Sequence, residues 1–253
     1  MNALNRKTVL ITGATSGHGR GLAERLSYHR LLLHGKDRER TTLLAKELGG
    51  EPYVADLSDL SQVQQMAIDI KSKHQHIDTV INNAGIGYGD RRETSVDGHE
   101  LRFAVMYLAP VLLTHLLDSR IKSHVINIGS LGQEPINLAD LDFKYAYCGI
   151  EAYRRAKFAL TMATFDLAER RSDLKVNVVH PATYMNTKMI REGGGIPQST
   201  VAEGVEATLS VMKSSLTGTF FNGSKASFAH QETYRKDSRA LLRKVTERIL
   251  EIS

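Results

Sequence analysis

The chain has 253 residues, and its 33 Lys and Arg against 28 Asp and Glu give a formal net charge of +5. This length fits one large α/β domain and is marginal for two, so we expect a single domain over residues 1–253. Because acids interrupt the basic residues, as in KDRER and RKDSR, a solvated surface explains the charge and we expect no nucleic-acid partner.

Cysteine usage and hydropathy narrow the class of protein further. The single cysteine, Cys148, excludes an internal disulfide and a multi-cysteine zinc site. The HQH stretch at 74–76 is isolated near a predicted helix end, so we expect no metal. The first apolar run, 8–12, is too short for a signal peptide or a membrane span. We therefore expect a cytoplasmic protein with no membrane partner.

Short apolar runs alternate with longer amphipathic stretches along the chain. Runs rich in Val, Ile and Leu are typical of strands buried on both faces of a parallel sheet. The predicted strands are 8–12, 30–35, 52–56, 78–82, 124–129, 175–180 and 218–222. The predicted helices with the clearest spacing are 58–74, 97–120, 153–171 and 233–252. This alternation predicts a doubly wound parallel sheet of about seven strands with helices on both faces.

A glycine-rich turn, TGATSGHGRG at 12–21, follows the first predicted strand. Glycines in such a turn let backbone amides approach a pyrophosphate at a helix N-terminus, so we predict a dinucleotide site. The alternative is a helix-entry loop without a ligand. His18 has two interpretations, contact with phosphate or substrate and a tolerated change in packing. The candidate binding residues of the turn are Gly13, Thr15, Ser16, Gly17, His18 and Gly19.

The end of the second predicted strand indicates which dinucleotide binds. A site for NAD usually offers an acid to the ribose hydroxyls, whereas a site for NADP offers cations to the 2′-phosphate. Here HGKDR supplies Lys36 and Arg38, and Gly35 stands where the acid is expected. We therefore favour NADP(H) over NAD(H), with Asp37 keeping the alternative open.

The next two strand ends supply further candidates for cofactor contact. Asp56 can accept from the adenine amino group while Leu57 packs on the ring. NNAG at 82–85 lets the chain pass close to the cofactor. Asn82 also fits a role in holding neighbouring backbone, so the contact candidates from this motif are Asn83, Ala84 and Gly85.

The stretch AYRRAK places Tyr153 four residues before Lys157, on one face of a predicted helix. An unperturbed tyrosine has a pKa of about 10, too high for a good acid or base near neutrality. An ammonium about 5 Å away stabilises the phenolate by about 3 kcal/mol at an effective dielectric near 20, which is roughly two pKa units. The spacing therefore predicts a phenol with a lowered pKa.

Five motifs in order give the chain a family resemblance. They are TGxxxGxG at 12–19, NNAG at 82–85, NIGS at 127–130, YxxxK at 153–157 and HPAT at 180–183. With them the chain resembles the short-chain dehydrogenase/reductase family, in its compact single-domain branch.

The resemblance implies a Rossmann-like fold and a hydride transfer between a nicotinamide and the carbonyl or alcohol carbon of a small molecule, as in ketoreductases. It also implies Ser130, Tyr153 and Lys157 as catalytic residues. Tyr153 would exchange the proton, Ser130 would hold the substrate oxygen and Lys157 would also bind the nicotinamide ribose.

Two segments after these motifs bear on the substrate. HPATYMNTKM at 180–189 should run beside the nicotinamide, with Pro181 shaping the turn and Thr183 or Thr187 as hydrogen-bond partners. Residues 184–200 contain three glycines before a proline and are predicted to form a mobile substrate lid, with a plain surface loop as the alternative.

The chain departs from the family pattern in two informative ways. Met106 stands where many members have an asparagine that supports a water relay to the lysine, and a thioether cannot replace that amide. Residues 132–150 form an insert similar to that of retinol dehydrogenase and carbonyl reductase relatives. We expect it to border the substrate pocket and to supply Tyr145, Tyr147 and Cys148 as lining. The apolar and aromatic residues of these segments indicate a pocket that is not strongly charged.

Alternatives to the enzyme remain open at this stage. A non-catalytic dinucleotide sensor on the same fold is favoured by Met106 and opposed by the intact Ser130, Tyr153 and Lys157. Family members are commonly homodimers or homotetramers, but monomeric relatives carry similar inserts, so assembly stays open. With NADPH as cofactor, reduction is the expected direction.

Overall fold

The computed structural model describes residues 6–89 and 91–252. Within these residues one eight-stranded sheet has the order β3-β2-β1-β4-β5-β6-β7-β8 and is parallel except for the β7–β8 pair. The strands are β1 (Thr8–Ile11), β2 (Arg30–Gly35), β3 (Glu51–Val54), β4 (Ile77–Asn82), β5 (Ile121–Ile128), β6 (Lys175–His180), β7 (Phe220–Asn222) and β8 (Lys225–Ser227).

Helices cover both faces of this sheet. They are α1 (Gly17–Arg25), α2 (Arg38–Leu48), α3 (Leu60–Lys73), α4 (Leu101–Phe103), α5 (Ala109–Leu117), α6 (Gly149–Arg170), α7 (Lys188–Glu192), α8 (Val201–Met212) and α9 (Lys236–Leu250). Successive strand residues point to opposite faces. Accordingly, Leu10 packs in the core under α3, α5, α6 and α9, while Val9 and Ile11 pack in the second core under α1, α2 and α8.

The predicted fold class, a doubly wound α/β sheet, is confirmed. All seven predicted strands are present, with ends that differ by up to three residues. The antiparallel strand β8 was not predicted, because a three-residue edge strand has too few residues to show a periodic pattern. That residues 1–253 form one domain stays a prediction.

The strand order reverses between β1 and β4, since β1 connects outward to β2 and β3 while β4 begins the other half. In sheets of this kind, ligands bind beyond the carboxyl ends of the strands at such a reversal. The fold therefore places the candidate site where the turn after β1 meets the loop after β4.

The predicted helix 97–120 is present but irregular. It begins at Leu101, and residues Ala104–Leu108 form a π-helical segment between α4 and α5. The stretch Leu101–Arg120 is long and apolar enough to cross a membrane, but 72% of its most apolar window is buried inside the protein. It packs against α3 and α6 as a core helix, with Met106 buried in the π segment.

Candidate active site

A cleft of about 790 Å³ opens along the carboxyl edge of the sheet. This volume lies in the range of pockets that hold a cofactor or a drug-sized ligand. Eighteen of the nineteen sequence-predicted site residues line the cleft, and Arg38 is the exception. Those eighteen are Gly13, Thr15, Ser16, Gly17, His18, Gly19, Lys36, Asp56, Leu57, Asn83, Ala84, Gly85, Ser130, Tyr153, Lys157, Pro181, Thr183 and Thr187.

The glycine-rich turn is pressed against the loop after β4. A Cβ at Gly13 would lie 2.8 Å from the Ala84 Cα, and one at Gly19 would lie 2.2 Å from the Gly13 carbonyl oxygen. Gly13 also has a φ of +64°, in the left-handed region that favours glycine. Within the described residues the Ser16 side chain makes no capping hydrogen bond, so the first amides of α1 are free to meet an anion.

His34, at the end of β2, holds this turn in place. Its Nδ1 accepts from the Gly13 amide at 3.2 Å, and its Nε2 donates to the Ala55 carbonyl at 3.0 Å. Burial lowers the pKa of His34 to about 4, so the ring is neutral near pH 7 and serves as both donor and acceptor. His34 was not predicted, because a histidine inside an apolar strand gives no sign of which backbone groups it will bind.

His18 and Asn83 form a second brace of the turn. The His18 Nδ1 lies 2.8 Å from the Asn83 Oδ1, and its Nε2 lies 3.1 Å from the Thr208 hydroxyl on α8. The Asn83 amide nitrogen donates to the Thr12 carbonyl at 2.8 Å. Burial lowers the pKa of His18, which keeps the ring neutral. Both side chains line the cleft, but their polar atoms are engaged within the protein, so the packing interpretation of His18 fits this geometry.

At the adenosine end, Lys36 and Asp56 form an ion pair. The Lys36 Nζ lies 2.7 Å from Asp56 Oδ2, and Asp56 Oδ1 accepts from the Ser58 hydroxyl at 2.7 Å. Burial opposes ionisation of the Asp56 carboxyl, but Lys36 and Ser58 outweigh it and hold its pKa below the usual value. Leu57 is buried beside this pair, where it can pack on a ring.

The second strand end places its cations differently from the prediction. Arg38 is exposed at the start of α2 and lies outside the cleft. Asp37 caps α2 by accepting from the Arg40 amide at 2.9 Å. Arg40 was not predicted, yet its guanidinium donates to the Thr15 carbonyl at 3.4 Å, within the glycine-rich turn. Its position, one helical turn from Asp37, could have been read only once the start of α2 was known.

Ser130, Tyr153 and Lys157 meet at the other end of the cleft. Ser130 follows β5, while Tyr153 and Lys157 lie one turn apart on α6. The Ser130 hydroxyl accepts from the Gly132 amide at 3.1 Å and lies close enough to the Tyr153 phenol to affect its pKa. The Lys157 Nζ lies 5.8 Å from the Tyr153 ring centroid and donates to the Ile128 carbonyl at 2.6 Å.

The prediction of a lowered phenol pKa is wrong for this geometry. Burial, with a smaller contribution from Tyr88, raises the pKa of Tyr153 to about 12, although the nearby Ser130 hydroxyl opposes the change. Burial also lowers the pKa of Lys157 to about 8. An effective dielectric near 20 applies to partly solvated groups, whereas both of these groups are desolvated by the surrounding protein. Tyr153 is therefore protonated near neutral pH and is placed to donate a proton.

The insert lines the cleft only at its two ends. Gly132 and Ile150 face the cleft, but Tyr145, Tyr147 and Cys148 do not line it, so that prediction is wrong. Tyr145 is 77% exposed.

The Tyr147 hydroxyl accepts from Arg102 at 2.7 Å and donates to Glu100 at 3.1 Å. Glu100 and Arg102 are themselves a buried ion pair at 3.0 Å. These contacts anchor the insert to the segment just before the π-helical turn.

The first part of the predicted lid, 184–200, borders the cleft, and this part contains α7. A Cβ at Gly17 would lie 3.2 Å from the Thr187 Cγ2, so the two segments touch. Thr183 Oγ1 lies 3.1 Å from His180 Nε2. The lid residues that line the cleft are Tyr184, Met185, Thr187, Lys188, Met189, Ile190 and Glu192. That this segment moves stays a prediction.

Two further residues named in the sequence analysis are Met106, which lines the cleft, and Asn82, which does not. The Asn82 side-chain nitrogen donates to the Asn127 Oδ1 at 2.8 Å and to the Thr114 hydroxyl at 3.1 Å, so it bonds side chains of neighbouring elements and not their backbone. The Met106 sulfur faces Gly85, where an added Cβ would lie 3.5 Å from it. The position expected for the asparagine of the water relay is thus filled by a thioether.

Comparisons with known proteins agree with this arrangement. A family model described as short chain dehydrogenase matches residues 7–194. Retinol dehydrogenase 13 of Homo sapiens is 32% identical over 193 residues, which cover 69% of this chain and 58% of that relative. The chain therefore spans less than two thirds of the length of this curated relative.

Solved structures show the same fold. An uncharacterised protein from Mycobacterium paratuberculosis matches with a TM-score of 0.84 and 23% identity, over 100% of this chain and 98% of that one. A short chain dehydrogenase from Burkholderia cenocepacia J2315, solved in complex with NADP, matches with a TM-score of 0.70 and 20% identity, over 87% of this chain and 97% of that one. At these identities the likeness establishes the fold.

The first prediction concerns His34. Its pKa is about 4 in the folded protein and 6.5 ordinarily, so between these values the unfolded chain binds a proton that the folded one does not. Stability therefore falls as the pH drops from 6.5 towards 4, by up to about 3 kcal/mol for this group. In His34→Gln, the slope of the free energy of unfolding against pH between pH 5 and 6 should be smaller by about 1.4 kcal/mol per unit. Denaturant titrations at each pH measure it, and the exposed His76→Gln should leave the slope unchanged.

The second prediction concerns Lys157, whose buried ammonium costs stability. Replacing it with Met removes a desolvation penalty of about 3 kcal/mol and also the hydrogen bond to Ile128, worth about 1.5–2 kcal/mol. Lys157→Met should therefore raise the free energy of unfolding at pH 7 by about 1–2 kcal/mol. The exposed Lys244→Met should change it by less than about 0.5 kcal/mol. A destabilised Lys157→Met would contradict this account of the site.

Proposed function

Because this chain belongs to the short chain dehydrogenase family, we propose that it is an NADP(H)-dependent oxidoreductase acting on the carbonyl or secondary alcohol group of a small organic substrate. One observation carries the proposal. Ser130, Tyr153 and Lys157 converge at one end of the cleft whose other end is built by the glycine-rich turn. A proton donor and a dinucleotide site are thus in one continuous space.

The residues of the cleft fit a nicotinamide dinucleotide. The backbone of the turn is so closely packed at Gly13 and Gly19 that a side chain at either position would clash. The uncapped first amides of α1 would meet the pyrophosphate, and Leu57 would pack on the adenine. When bound, the nicotinamide supplies or receives the hydride. All other steps fall to side chains of this chain.

The catalytic residues would divide the proton transfer between them. During reduction, Tyr153 donates its phenolic proton to the carbonyl oxygen, and Ser130 holds that oxygen in line by a hydrogen bond. As the phenolate forms, the Lys157 ammonium stabilises it within the same buried volume, where charges interact strongly. The raised pKa of Tyr153 keeps this proton in place until a substrate oxygen is there to take it.

The preference for NADP(H) is supported by the cations at the end of β2. Lys36 lines the cleft, and Arg40 is tied to the glycine-rich turn through the Thr15 carbonyl. Asp37, the residue that kept NAD(H) open, has its carboxylate engaged in capping α2. The relative from Burkholderia cenocepacia was solved with NADP, which is consistent with this choice.

The intact catalytic cluster favours the enzyme over a non-catalytic sensor. Met106 removes one side chain of the expected relay, but Ser130, Tyr153 and Lys157 still line one cleft. We also propose that the protein uses NADPH to reduce its substrate and that it is located in the cytoplasm.

The third prediction tests the proton donor. Tyr153→Phe should lower kcat for carbonyl reduction by about 10²–10⁴-fold, because it removes the general acid. The affinity for NADPH should stay unchanged, since the ring remains. The exposed Tyr145→Phe is the matched control and should keep full activity. Absorbance of the reduced nicotinamide against a broad panel of ketones measures the rates, and a Tyr153→Phe enzyme that keeps more than about a tenth of kcat would refute this role.

The fourth prediction tests the cofactor preference. Replacing both Lys36 and Arg40 with Ala should weaken NADPH binding by about 10–100-fold, because charge-assisted contacts to the 2′-phosphate are lost. The affinity for NADH should change far less. Lys46→Ala, an exposed cation at the far end of α2, should alter neither. The chain has no Trp, so fluorescence of the bound nicotinamide reports both affinities without interference; equal losses for both cofactors would contradict phosphate recognition.

A further inference from the structure

A guanidinium and two phenols line the substrate end of the cleft, beyond the catalytic residues. They belong to Arg154, Tyr88 and Tyr184. Arg154 directly follows Tyr153 on α6 and is half-buried. Within residues 6–89 and 91–252 its guanidinium makes no hydrogen bond and no ion pair. The family motif YxxxK leaves this position unspecified, so Arg154 is a feature of this chain.

Arg154 lies beside the catalytic serine. A Cβ at Gly132 would lie 3.5 Å from the Ser130 Oγ and 3.6 Å from the Arg154 Nε. The Ser130 Oγ and the Arg154 Nε therefore both lie close to Gly132. A substrate whose carbonyl oxygen meets Ser130 and Tyr153 would have its adjacent carbons within reach of this guanidinium.

The two phenols enclose the same space. The Tyr88 ring meets the Tyr153 ring edge-on, with centroids 5.1 Å apart. Burial raises the pKa of Tyr88 and the charge of Arg154 opposes this, which places the guanidinium within electrostatic range of that phenol. A Cβ at Gly193 would lie 3.3 Å from the Tyr88 ring, so Tyr88 stands between the lid and the catalytic tyrosine.

Tyr184 is held at the mouth by a strained backbone. Its φ is +45°, in the left-handed region, which costs a residue with a Cβ about 1–3 kcal/mol. The conformation is fixed by the Gln198 amide, which donates to the Tyr184 carbonyl at 3.0 Å, and by the Ser199 hydroxyl, which donates to the Thr183 carbonyl at 2.6 Å. Such strain is typical of residues that a binding site holds in place.

The lysine and the glutamate that α7 adds to this end form a pair with each other. Lys188 and Glu192 both line the cleft, but they pair with each other at 3.4 Å and both are largely exposed. Two cations that line the cleft near Ser130, Lys157 and Arg154, have no ion pair with a described residue, and Arg154 is the one outside the proposed catalytic set. A single planar guanidinium matches a carboxylate, whereas a phosphate dianion would call for more than one cation.

We propose that the substrate is a small oxo acid, whose carboxylate binds Arg154 while its ketone group faces Ser130 and Tyr153. This inference rests on the proposed function and narrows it. In the reaction, the carbonyl carbon takes the hydride from NADPH, the carbonyl oxygen takes the phenolic proton of Tyr153, and the products are a hydroxy acid and NADP⁺. The carboxylate keeps its charge throughout and serves only to position the carbonyl.

The fifth prediction compares each oxo acid with its neutral ester. Substrates are 3-oxobutanoate and 4-oxopentanoate with their methyl esters, tested on the wild type, Arg154→Met, Arg154→Lys and the control Arg191→Met. Arg191 is an exposed cation on the lid that does not line the cleft. In Arg154→Met, kcat/KM for the acids should fall by about 100-fold, since a charge-assisted contact is lost, while the esters change little. Arg154→Lys should keep part of the preference, and Arg191→Met all of it.

The outcomes separate this inference from the proposed function. Turnover of esters and acids at equal rates in the wild type, or an equal loss for both in Arg154→Met, would overturn the carboxylate site and leave the oxidoreductase intact. If no carbonyl compound is turned over, the proposed function fails, and calorimetric titration of the NADP⁺-loaded protein with 4-oxopentanoate still decides the site. Binding that is lost in Arg154→Met and retained in Arg191→Met supports it, and binding that Arg154→Met retains, or none in the wild type, refutes it.

Discussion

The cleft depends on one close approach, in which the turn after β1 lies directly against the loop after β4. A side chain at Gly13 would clash with Ala84, because its Cβ would lie only 2.8 Å from the Ala84 Cα. His34 from β2 and Asn83 from the loop then bind the backbone of the turn on either side. Because each brace comes from a different strand, the position of the turn is set by the register of the sheet. The sheet thus fixes where the glycine-rich turn borders the cleft.

At the end of the cleft that holds Tyr153 and Lys157, the main physical effect is burial of the side chains. Tyr153 and Lys157 are each shifted by desolvation in the direction that disfavours charge, the phenol to a pKa of about 12 and the amine to about 8. A buried ammonium and a buried phenol lower the stability of the fold, but they remove water that would weaken their mutual interaction. Near neutral pH the amine therefore still carries most of its charge, while the phenol keeps its proton.

The sequence predicted the parts of this site that are local in the chain. The glycines of the turn, Tyr153 and Lys157 are recognisable because their spacing alone fixes a turn or a helix face. His34, Tyr88 and Arg154 were missed, because their roles depend on neighbours more than twenty residues away or on a wall built by several elements. The phenol pKa was wrong for the same reason, since spacing gives the distance between two groups and not the dielectric around them. The ends of the insert line the cleft as predicted, but Tyr147 bonds Glu100 and Arg102 instead, and Tyr145 is exposed.

The π-helical segment Ala104–Leu108 contains one residue more than a regular α-helical turn and lies between α4 and α5. Glu100 and Arg102, which bind the insert, lie on its N-terminal side. One residue corresponds to a rotation of about 100° around a helix axis. Loss of a single residue there would restore regular α-helical spacing and would turn Glu100 and Arg102 away from Tyr147. Evolution by insertion or deletion at this helix would therefore change the shape of the substrate wall abruptly while the sheet below it stayed the same.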